Sequence, residues 1–273
     1  MPKLSLITIN LNNREGLERT IQSVISQTFT NFEYIIIDGG STDGSVEIIK
    51  QFADHITYWI SEPDTGIYNA MNKGIKLAKG EYLLFLNSGD FLASNNVLKI
   101  VIPLLKSNID ILAGYVKELK EDGINKYPPI TFTFKSLYHT NIPHQSEFIK
   151  KDLLINLGFY NENLKILSDY DFNIKAFVKN STYSHVDIMI SCIDASGISY
   201  QLSNSNIIDS ERKQIFASNI PRGMLEDYEL FFELDKEFHP ALKWAKRNRL
   251  IFKVLRFLYN HFSQEKKSIN TTR

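Results

Sequence analysis

Apolar segments with strand and helix periodicity alternate along the first half of the chain, and this alternation constrains the fold more than any other feature. Buried-strand patterns lie at residues 4–10, 32–37, 56–60, 82–86 and 109–115. Apolar residues at helical spacing lie between them, at residues 15–27, 44–52, 67–78 and 97–105. Strands separated by such helices form β-α-β units. We therefore expect an α/β fold with a mostly parallel sheet flanked by helices.

The second half of the chain has a less regular pattern. Its expected elements are a hairpin or loop at residues 117–127, helices at 149–157, 170–178 and 223–262, and a late strand at 184–192. No flexible linker or internal repeat interrupts them. We expect one main domain over residues 1–220 and a C-terminal helical extension over residues 221–273.

Charge and cysteine content exclude several classes of protein. The 273 residues include 31 Lys or Arg and 31 Asp or Glu, so the chain lacks the global positive field that binds nucleic acid. Cys192 is the only cysteine, which excludes an internal disulfide and is typical of a reducing compartment. No signal sequence and no run of roughly 18 apolar residues are present. We expect a cytoplasmic protein, with peripheral attachment to the inner face of the plasma membrane as an option.

Acidic side chains directly follow three of the predicted strands. Asp38 follows the second strand, Asp64 the third and Asp90 the fourth. Sheets of this kind bind ligands at the carboxyl ends of their strands. A carboxylate there can accept from a nucleobase N–H or a ribose hydroxyl, or hold a hard divalent cation. A single Asp after a strand is also an ordinary turn residue, but three at successive strand ends favour a ligand site.

Four short blocks carry a more specific pattern. The first is the opening strand with Thr8 and Asn10, and the others are DGGSTDG at residues 38–44, EPDTGIYNAMNKG at 62–74 and FLNSGD at 85–90. Their order and spacing resemble glycosyltransferase family 2, the inverting enzymes with the glycosyltransferase A fold. The resemblance implies a Rossmann-like sheet and transfer of a sugar from an activated donor.

The resemblance implies a nucleotide-diphosphate sugar as donor, usually a UDP-sugar. The residue that matches Asp38 contacts the base in this family, and the block around Asp64 helps to close the nucleotide pocket. The remaining residues expected to contact the donor are Thr8, Asn10, Ser88 and Gly89.

A divalent cation, Mn²⁺ or Mg²⁺, is also implied on the donor diphosphate. Asp90 matches the last residue of the family's DXD-type motif, which is reduced here to Ser88-Gly89-Asp90. One carboxylate can suffice, because diphosphate oxygens and waters complete the shell of a hard cation. His144, in a weaker match over Pro143-His144-Gln145, is the second expected ligand, although a contact to phosphate or acceptor and a purely structural role stay open.

Direct displacement at the anomeric carbon requires a base for the acceptor hydroxyl and charge stabilisation on the leaving diphosphate. Asp169, in Ser168-Asp169-Tyr170-Asp171, resembles the family's catalytic acidic residue at the start of a helix. A charge favoured by the helix dipole is the structural alternative. Asp171 is the second candidate base, but it lies about 200° around a helix from Asp169. Residues 197–199 resemble a family loop near the diphosphate.

The C-terminal part of the chain is basic and amphipathic. Nine of residues 241–273 are Lys or Arg, and Glu265 is the only acid among them. The residues that share one apolar helical face are Ile251, Val254, Leu255, Leu258 and Phe262. This pattern is typical of a helix that binds an anionic membrane surface, and also of a helix packed against its own domain.

The sequence therefore favours an inverting glycosyltransferase, hexosyl or N-acetylhexosaminyl, with a glycan or lipid-linked acceptor. Synthesis of a bacterial cell-surface polysaccharide or lipopolysaccharide is the role that the resemblance implies. A non-catalytic nucleotide-sugar-binding module is the alternative, since the DXD-type triplet is reduced. A dinucleotide-dependent oxidoreductase is disfavoured because no G-x-G-x-x-G follows the first strand. A sugar nucleotidyltransferase is disfavoured because no Gly-rich basic loop lies near the start.

Overall fold

The computed structural model describes residues 1–120, 123–194, 205–247 and 253–254 and has an α/β architecture. The chain divides into two compact units, Met1–Asn219 and Ile220–Arg273.

The described strands are β1 (Leu4–Asn10), β2 (Glu33–Asp38), β3 (Tyr58–Ser61), β4 (Tyr82–Asn87), β5 (Phe91–Leu92), β6 (Ile111–Lys120), β7 (Gly123–Tyr127), β8 (Glu147–Lys150) and β9 (Tyr183–Asp194). The described α-helices are α1 (Arg14–Ile25), α2 (Ser45–Gln51), α3 (Ile67–Leu77), α4 (Val97–Val101), α5 (Phe134–His139), α6 (Lys151–Asn156), α7 (Ser168–Val178), α8 (Ser205–Asn219) and α9 (Arg222–Arg247).

The strands pair in one sheet with the order β3-β2-β1-β4-β8-β6-β9-β5, and β7 pairs with β6. The four strands β3, β2, β1 and β4 are parallel, as the alternation of strands and helices predicts. Beyond β4 the sheet is mixed: β8 is antiparallel to β4 and β6, whereas β6 and β9 are parallel. The parallel half is the Rossmann-like part of the fold.

Side chains of β1 enter two hydrophobic cores on opposite faces of the sheet. Leu4 and Leu6 pack in the core that includes α1, and Ile7 and Ile9 pack in the core that includes α3. All seven residues of β1 are buried. A strand covered on both faces has an almost continuous apolar sequence, which explains why this segment is easily recognised.

Strand register places the carboxyl ends of the parallel strands at one edge of the sheet. Asn10 pairs with Asp38, and Asp38 pairs with Ser61. On the other side of β1, Ile9 pairs with Asn87 at the end of β4. The segments that follow β1 to β4 therefore leave the sheet side by side, where parallel sheets bind ligands.

The less regular half differs from expectation in places. Residues 149–150, predicted to begin a helix over 149–157, instead end strand β8, which pairs with β4 and β6. The helix itself is α6 and begins at Lys151. No helix was predicted over Ser205–Asn219, which is α8. Residues 117–127 were expected to form a hairpin or a loop, and the antiparallel pairing of β6 with β7 shows the hairpin.

The helix predicted at residues 223–262 is confirmed over Arg222–Arg247. Most of the predicted amphipathic stripe, including residues 255–262, lies outside the described residues. Across the described part of the chain, no helix has the length and apolar character needed to cross a bilayer.

Candidate active site

A cavity of about 950 Å³ lies at the carboxyl edge of the sheet. Its walls come from the segments that follow β1, β3 and β4, from the end of β9, and from residues 140–145 and 164–169. Its volume is within the range of small-molecule sites. Asp90, His144 and Asp169, three of the predicted site residues, line this cavity together.

Asp169 is held on both carboxylate oxygens. Oδ1 accepts from the Tyr68 hydroxyl at 3.3 Å and from the backbone N–H of Tyr170 at 2.8 Å. Oδ2 lies 3.2 Å from Nδ2 of Asn141 and 3.2 Å from Nδ1 of His144. The residue is in the first turn of α7 and is 9% exposed. The carboxylate is therefore fixed in one orientation at the cavity wall.

His144 begins a short 3₁₀ turn, His144–Ser146, after Pro143. Its Nδ1 faces Asp169, while its Nε2 is buried and has no hydrogen-bond partner among the described residues. A histidine whose Nδ1–H bonds a carboxylate presents Nε2 as a metal ligand or as a base. This unpartnered nitrogen fits a metal ion or a polar group of a bound ligand.

Asp90 follows β4 and is 4% exposed. Its Oδ2 accepts from Nε2 of Gln145 at 2.9 Å, and its Oδ1 accepts from the backbone N–H of Asp194 at 3.1 Å. Burial raises the pKa of Asp90 to about 6, and these hydrogen bonds and nearby His144 offset only part of that effect. A cation beside the carboxylate would favour its ionised form.

The donor atoms at the cavity suit a cation that keeps ligands from outside the protein. Within the residues that the structure describes, no three His, Cys, Asp or Glu side chains gather as a metal-binding cluster. Asp90 and His144 line one cavity and interact electrostatically. Two protein ligands fit a hard cation whose remaining ligands are phosphate oxygens and water.

Asp38 is fully buried at the end of β2 and is not among the residues that line the cavity. Its Oδ1 accepts from Nδ2 of Asn10 at 2.7 Å and from Oγ of Ser41 at 2.6 Å. Its Oδ2 accepts from Oγ of Ser61 at 2.6 Å and from the N–H groups of Gly40 and Ser41. Burial raises the pKa of Asp38, but the hydrogen bonds outweigh it and the net pKa is lowered. The carboxylate ties the turn after β2 to β1 and β3.

The other predicted donor contacts differ in access, and Ser88 is the one among them that lines the cavity. Thr8 is fully buried, and its hydroxyl is 3.1 Å from the hydroxyl of Tyr34. Asp64 is half-buried and accepts from the N–H of Gly66 at 2.9 Å. Ser88 lines the cavity, and buried Gly89 has a φ of 107°, a left-handed backbone that favours glycine.

Asp171 does not share the position of Asp169. Its Oδ2 lies 2.6 Å from Nζ of Lys175, and its Oδ1 accepts from Nδ2 of Asn219 at 2.9 Å. It is 4% exposed and joins α7 to α8. The predicted loop at residues 197–199 lies outside the described residues.

The structure adds site residues that the sequence did not single out. Tyr68, Asn141 and Gln145 each donate a hydrogen bond to one of the predicted carboxylates, and Lys165 and Asp194 line the cavity. Tyr68 and Gln145 lie inside the blocks that resemble the family, so the sequence pattern could have identified them as site residues. The other three come from segments without a local motif.

Fold and cavity together define a glycosyltransferase A-type protein. The model of the family described as Glycosyl transferase family 2 matches residues 5–162, more than half of the chain. The chain therefore belongs to glycosyltransferase family 2, as the four sequence blocks predict.

Individual relatives agree with this assignment. A PGL/p-HBAD biosynthesis glycosyltransferase of Mycobacterium bovis (strain BCG / Pasteur 1173P2) is 30% identical over 216 residues, which cover 77% of this chain and 82% of that protein. The crystal structure of S. aureus TarS 1-349 in complex with UDP-GlcNAc is similar with a TM-score of 0.65 and 20% identity, over 87% of this chain and 73% of that chain. Mannosyltransferase PcManGT from Pyrobaculum calidifontis, in complex with GDP-Man and Mn²⁺, has a TM-score of 0.57 and 15% identity, over 73% of this chain and 59% of that one. The two structures establish the fold, and the family establishes glycosyl transfer as the class of reaction.

Proposed function

We propose that this protein is an inverting glycosyltransferase that moves a hexosyl or N-acetylhexosaminyl group from a nucleotide-diphosphate sugar, with UDP as the expected nucleotide. The observation that carries the proposal is the shared cavity of Asp90 and Asp169. The TarS complex with UDP-GlcNAc supports a sugar nucleotide as donor, and the relative named for PGL/p-HBAD biosynthesis supports a biosynthetic glycosyltransferase. The proposed acceptor is a glycan or a lipid-linked glycan of a cell-surface polysaccharide.

Asp169 is the proposed base. The acceptor hydroxyl oxygen attacks the anomeric carbon, the bond from that carbon to the diphosphate oxygen breaks, and the hydroxyl proton passes to Asp169. Attack from the face opposite the diphosphate inverts the anomeric configuration. The bonds from Tyr68, Tyr170 and Asn141 hold the carboxylate in place for this step.

Mn²⁺ or Mg²⁺ is the proposed cofactor, with Asp90 and Nε2 of His144 as its protein ligands. When bound, the cation neutralises charge that develops on the leaving diphosphate. The buried, unpartnered Nε2 of His144 supports this assignment, and so does the Mn²⁺ in the mannosyltransferase complex.

The proposed donor contacts are those that the family resemblance implies. Asp38 and Asp64 serve the base side of the nucleotide, and Ser88 and Gly89 serve the diphosphate side. Thr8 and Asn10 support the floor of this pocket from within β1. Asn10 does so through its 2.7 Å hydrogen bond to Asp38.

A catalytic domain over residues 1–220 and a C-terminal extension over residues 221–273 are the proposed functional division. The extension is proposed to contact an anionic membrane surface, which would place the enzyme on the inner face of the plasma membrane.

A donor screen tests the proposed function against a non-catalytic binding module. Thermal shift with a panel of nucleotide sugars and Mn²⁺ identifies the donor, and release of nucleoside diphosphate is then measured with and without candidate acceptors. We expect binding together with slow hydrolysis and faster transfer. Binding without any release of nucleoside diphosphate would instead favour the binding module.

A further inference from the structure

Glu211, on α8, binds the loop that leads into α7. The residue is 7% exposed, and its carboxylate accepts from three consecutive backbone N–H groups. Oε1 accepts from Lys165 at 2.6 Å, and Oε2 accepts from Ile166 at 3.1 Å and from Leu167 at 2.9 Å. Hydrogen bonds to an ionised acceptor are stronger than neutral ones. The loop is therefore fixed at three successive residues by one side chain.

The backbone N–H groups at the start of α7 require a hydrogen-bond acceptor from outside the helix. Leu167 is the residue before the helix, and its own side chain accepts no hydrogen bond from the first turn of α7. The N–H groups at a helix start lack partners within the helix, and the helix dipole favours an anion there. Glu211 supplies the anion from a different helix.

The helix that carries Glu211 is itself anchored by two residues that follow Glu211, Arg212 and Asn219. Nη1 of Arg212 donates to the backbone carbonyl of Tyr138 at 2.9 Å, and its guanidinium carbon is 4.9 Å from the centre of the Tyr170 ring. Asn219, at the end of α8, donates to Asp171 of α7 at 2.9 Å. α8 is thus a firm support for the Glu211 carboxylate.

The loop that Glu211 holds is part of the cavity wall. Lys165, Ile166 and Leu167 all line the cavity. The backbone carbonyl of Ile166 accepts from the Tyr68 hydroxyl, and the same hydroxyl is 3.3 Å from Oδ1 of Asp169. A shift of this loop therefore moves a group that contacts the proposed base.

We propose that Glu211 is a positioning residue, which sets the loop over residues 165–167 and through it the carboxylate of Asp169 against the acceptor hydroxyl. The proposal rests on the proposed function for its catalytic part. Glu211 lies outside the residues 5–162 that the family model matches, so the assignment comes from the contacts of this chain alone.

Glu211→Gln in the full chain tests the proposal. The amide keeps a single acceptor oxygen and turns an NH₂ group toward N–H donors. We expect faster hydrogen exchange in the peptide that spans residues 164–168, and a kcat lower by at least about tenfold because small displacements at a reacting group are costly. The KM for the nucleotide sugar should stay within about twofold, since the donor contacts lie elsewhere.

Asp209→Asn is the matched control, because Asp209 is an exposed acid on the same helix. It should change neither exchange nor kcat. Glu211→Asp keeps the charge but is one methylene shorter, and it should retain more activity than the Gln variant. If Glu211→Gln fails to fold, hydrogen exchange at residues 164–168 and kcat are compared between Glu211→Asp and wild type instead.

Two results would overturn the proposal. One is unchanged exchange at residues 164–168 in the folded variant, and the other is faster exchange there with wild-type kcat. A wild-type protein that transfers no sugar to any acceptor would count against the proposed function instead, and the exchange experiment would still report on the contact itself.

Discussion

The carboxylate of Asp169 has hydrogen-bond partners at four residues: Tyr170 is its neighbour in the chain, and the fold brings residues 68, 141 and 144 to it. An acid with this many contacts has two roles, as a proposed base and as a local structural anchor. A useful test substitution removes the base but keeps most of the hydrogen bonds. Asn keeps one oxygen acceptor at the same place and removes the negative charge.

Asp169→Asn is expected to lower kcat roughly a thousandfold, in the range that loss of a general base causes. The affinity for the nucleotide sugar should change little, because the proposed donor contacts do not include Asp169. Initial rates of transfer and calorimetric titration with the donor measure the two quantities separately. Asp187→Asn, at an exposed acid of β9, is the control. Transfer at the wild-type rate by Asp169→Asn would remove this residue from catalysis.

Asp90 gives a prediction about pH. Its pKa is raised from 3.8 to about 6 in the folded protein, chiefly by burial. A carboxyl group with a raised pKa stabilises the fold below its unfolded pKa, and that stability is lost as the pH rises through the folded value. Ionisation of Asp90 should therefore cost about 3 kcal/mol by pH 8 in the absence of divalent cations.

Asp90→Asn removes this titration. In chelator, the unfolding free energy of the variant relative to wild type should rise by about 2 kcal/mol between pH 4 and pH 8. Urea unfolding at several pH values gives the difference, in which the titration of groups that do not interact with Asp90 cancels. A difference that does not vary with pH would show that Asp90 ionises without this penalty.

Single residues differ in how far the sequence predicts them. Asp90 and Asp169 stand in blocks whose order is informative, and the structure places both at one cavity. The full enclosure of Asp38 could not be predicted, because Asn10 and Ser61 come from separate segments and meet it only through strand register. Lys165 has no motif of its own, and only the fold brings it to the cavity.

The packing of α3 on β1 depends on Gly74. A Cβ at this position would lie 2.6 Å from Cγ2 of Ile7, inside the core. We expect Gly74→Ala to lower the unfolding free energy by about 1–3 kcal/mol, since overpacking outweighs the better helix propensity of Ala. Chemical denaturation measures the change.

Gly223→Ala, in α9, is the matched control. A Cβ there meets no atom within 4 Å, so the same substitution should be neutral or stabilising by up to about 1 kcal/mol. A stabilised Gly74→Ala variant would mean that α3 can move away from β1 at little cost.

Helices and strands with their own periodicity were predictable, and those that depend on distant partners were not. β1 and α3 are recognisable because their residues are buried on regular faces. β5 has two residues, Phe91 and Leu92, and it exists because they pair with Cys192 and Ser191 about a hundred positions away. The last two residues of β8 were assigned to the following helix for the same reason, since the partners of β8 are the distant strands β4 and β6.

Charge is distributed very unevenly over the whole chain. Residues 241–273 carry nine Lys or Arg and one acid, although the complete chain has 31 of each sign. The first 240 residues therefore have a net excess of eight acidic groups. An anionic membrane surface would repel that part and attract the last 33 residues, with about 1 kcal/mol for each basic residue near the surface.

A full-length variant with reversed charges tests this asymmetry. The four basic residues changed to Glu are Lys246, Arg249, Lys253 and Arg256. We expect wild type to co-sediment with vesicles that contain anionic lipid, less so at high salt because exposed charges are screened, and the variant to stay in the supernatant.

Exchange of Lys for Arg and Arg for Lys at the same positions is the control, and it should bind like wild type. Both variants should transfer sugar to a water-soluble acceptor at the wild-type rate, because none of the four residues belongs to the proposed site. Equal sedimentation of the Glu variant and wild type would assign the basic segment to another partner and leave the membrane proposal without support.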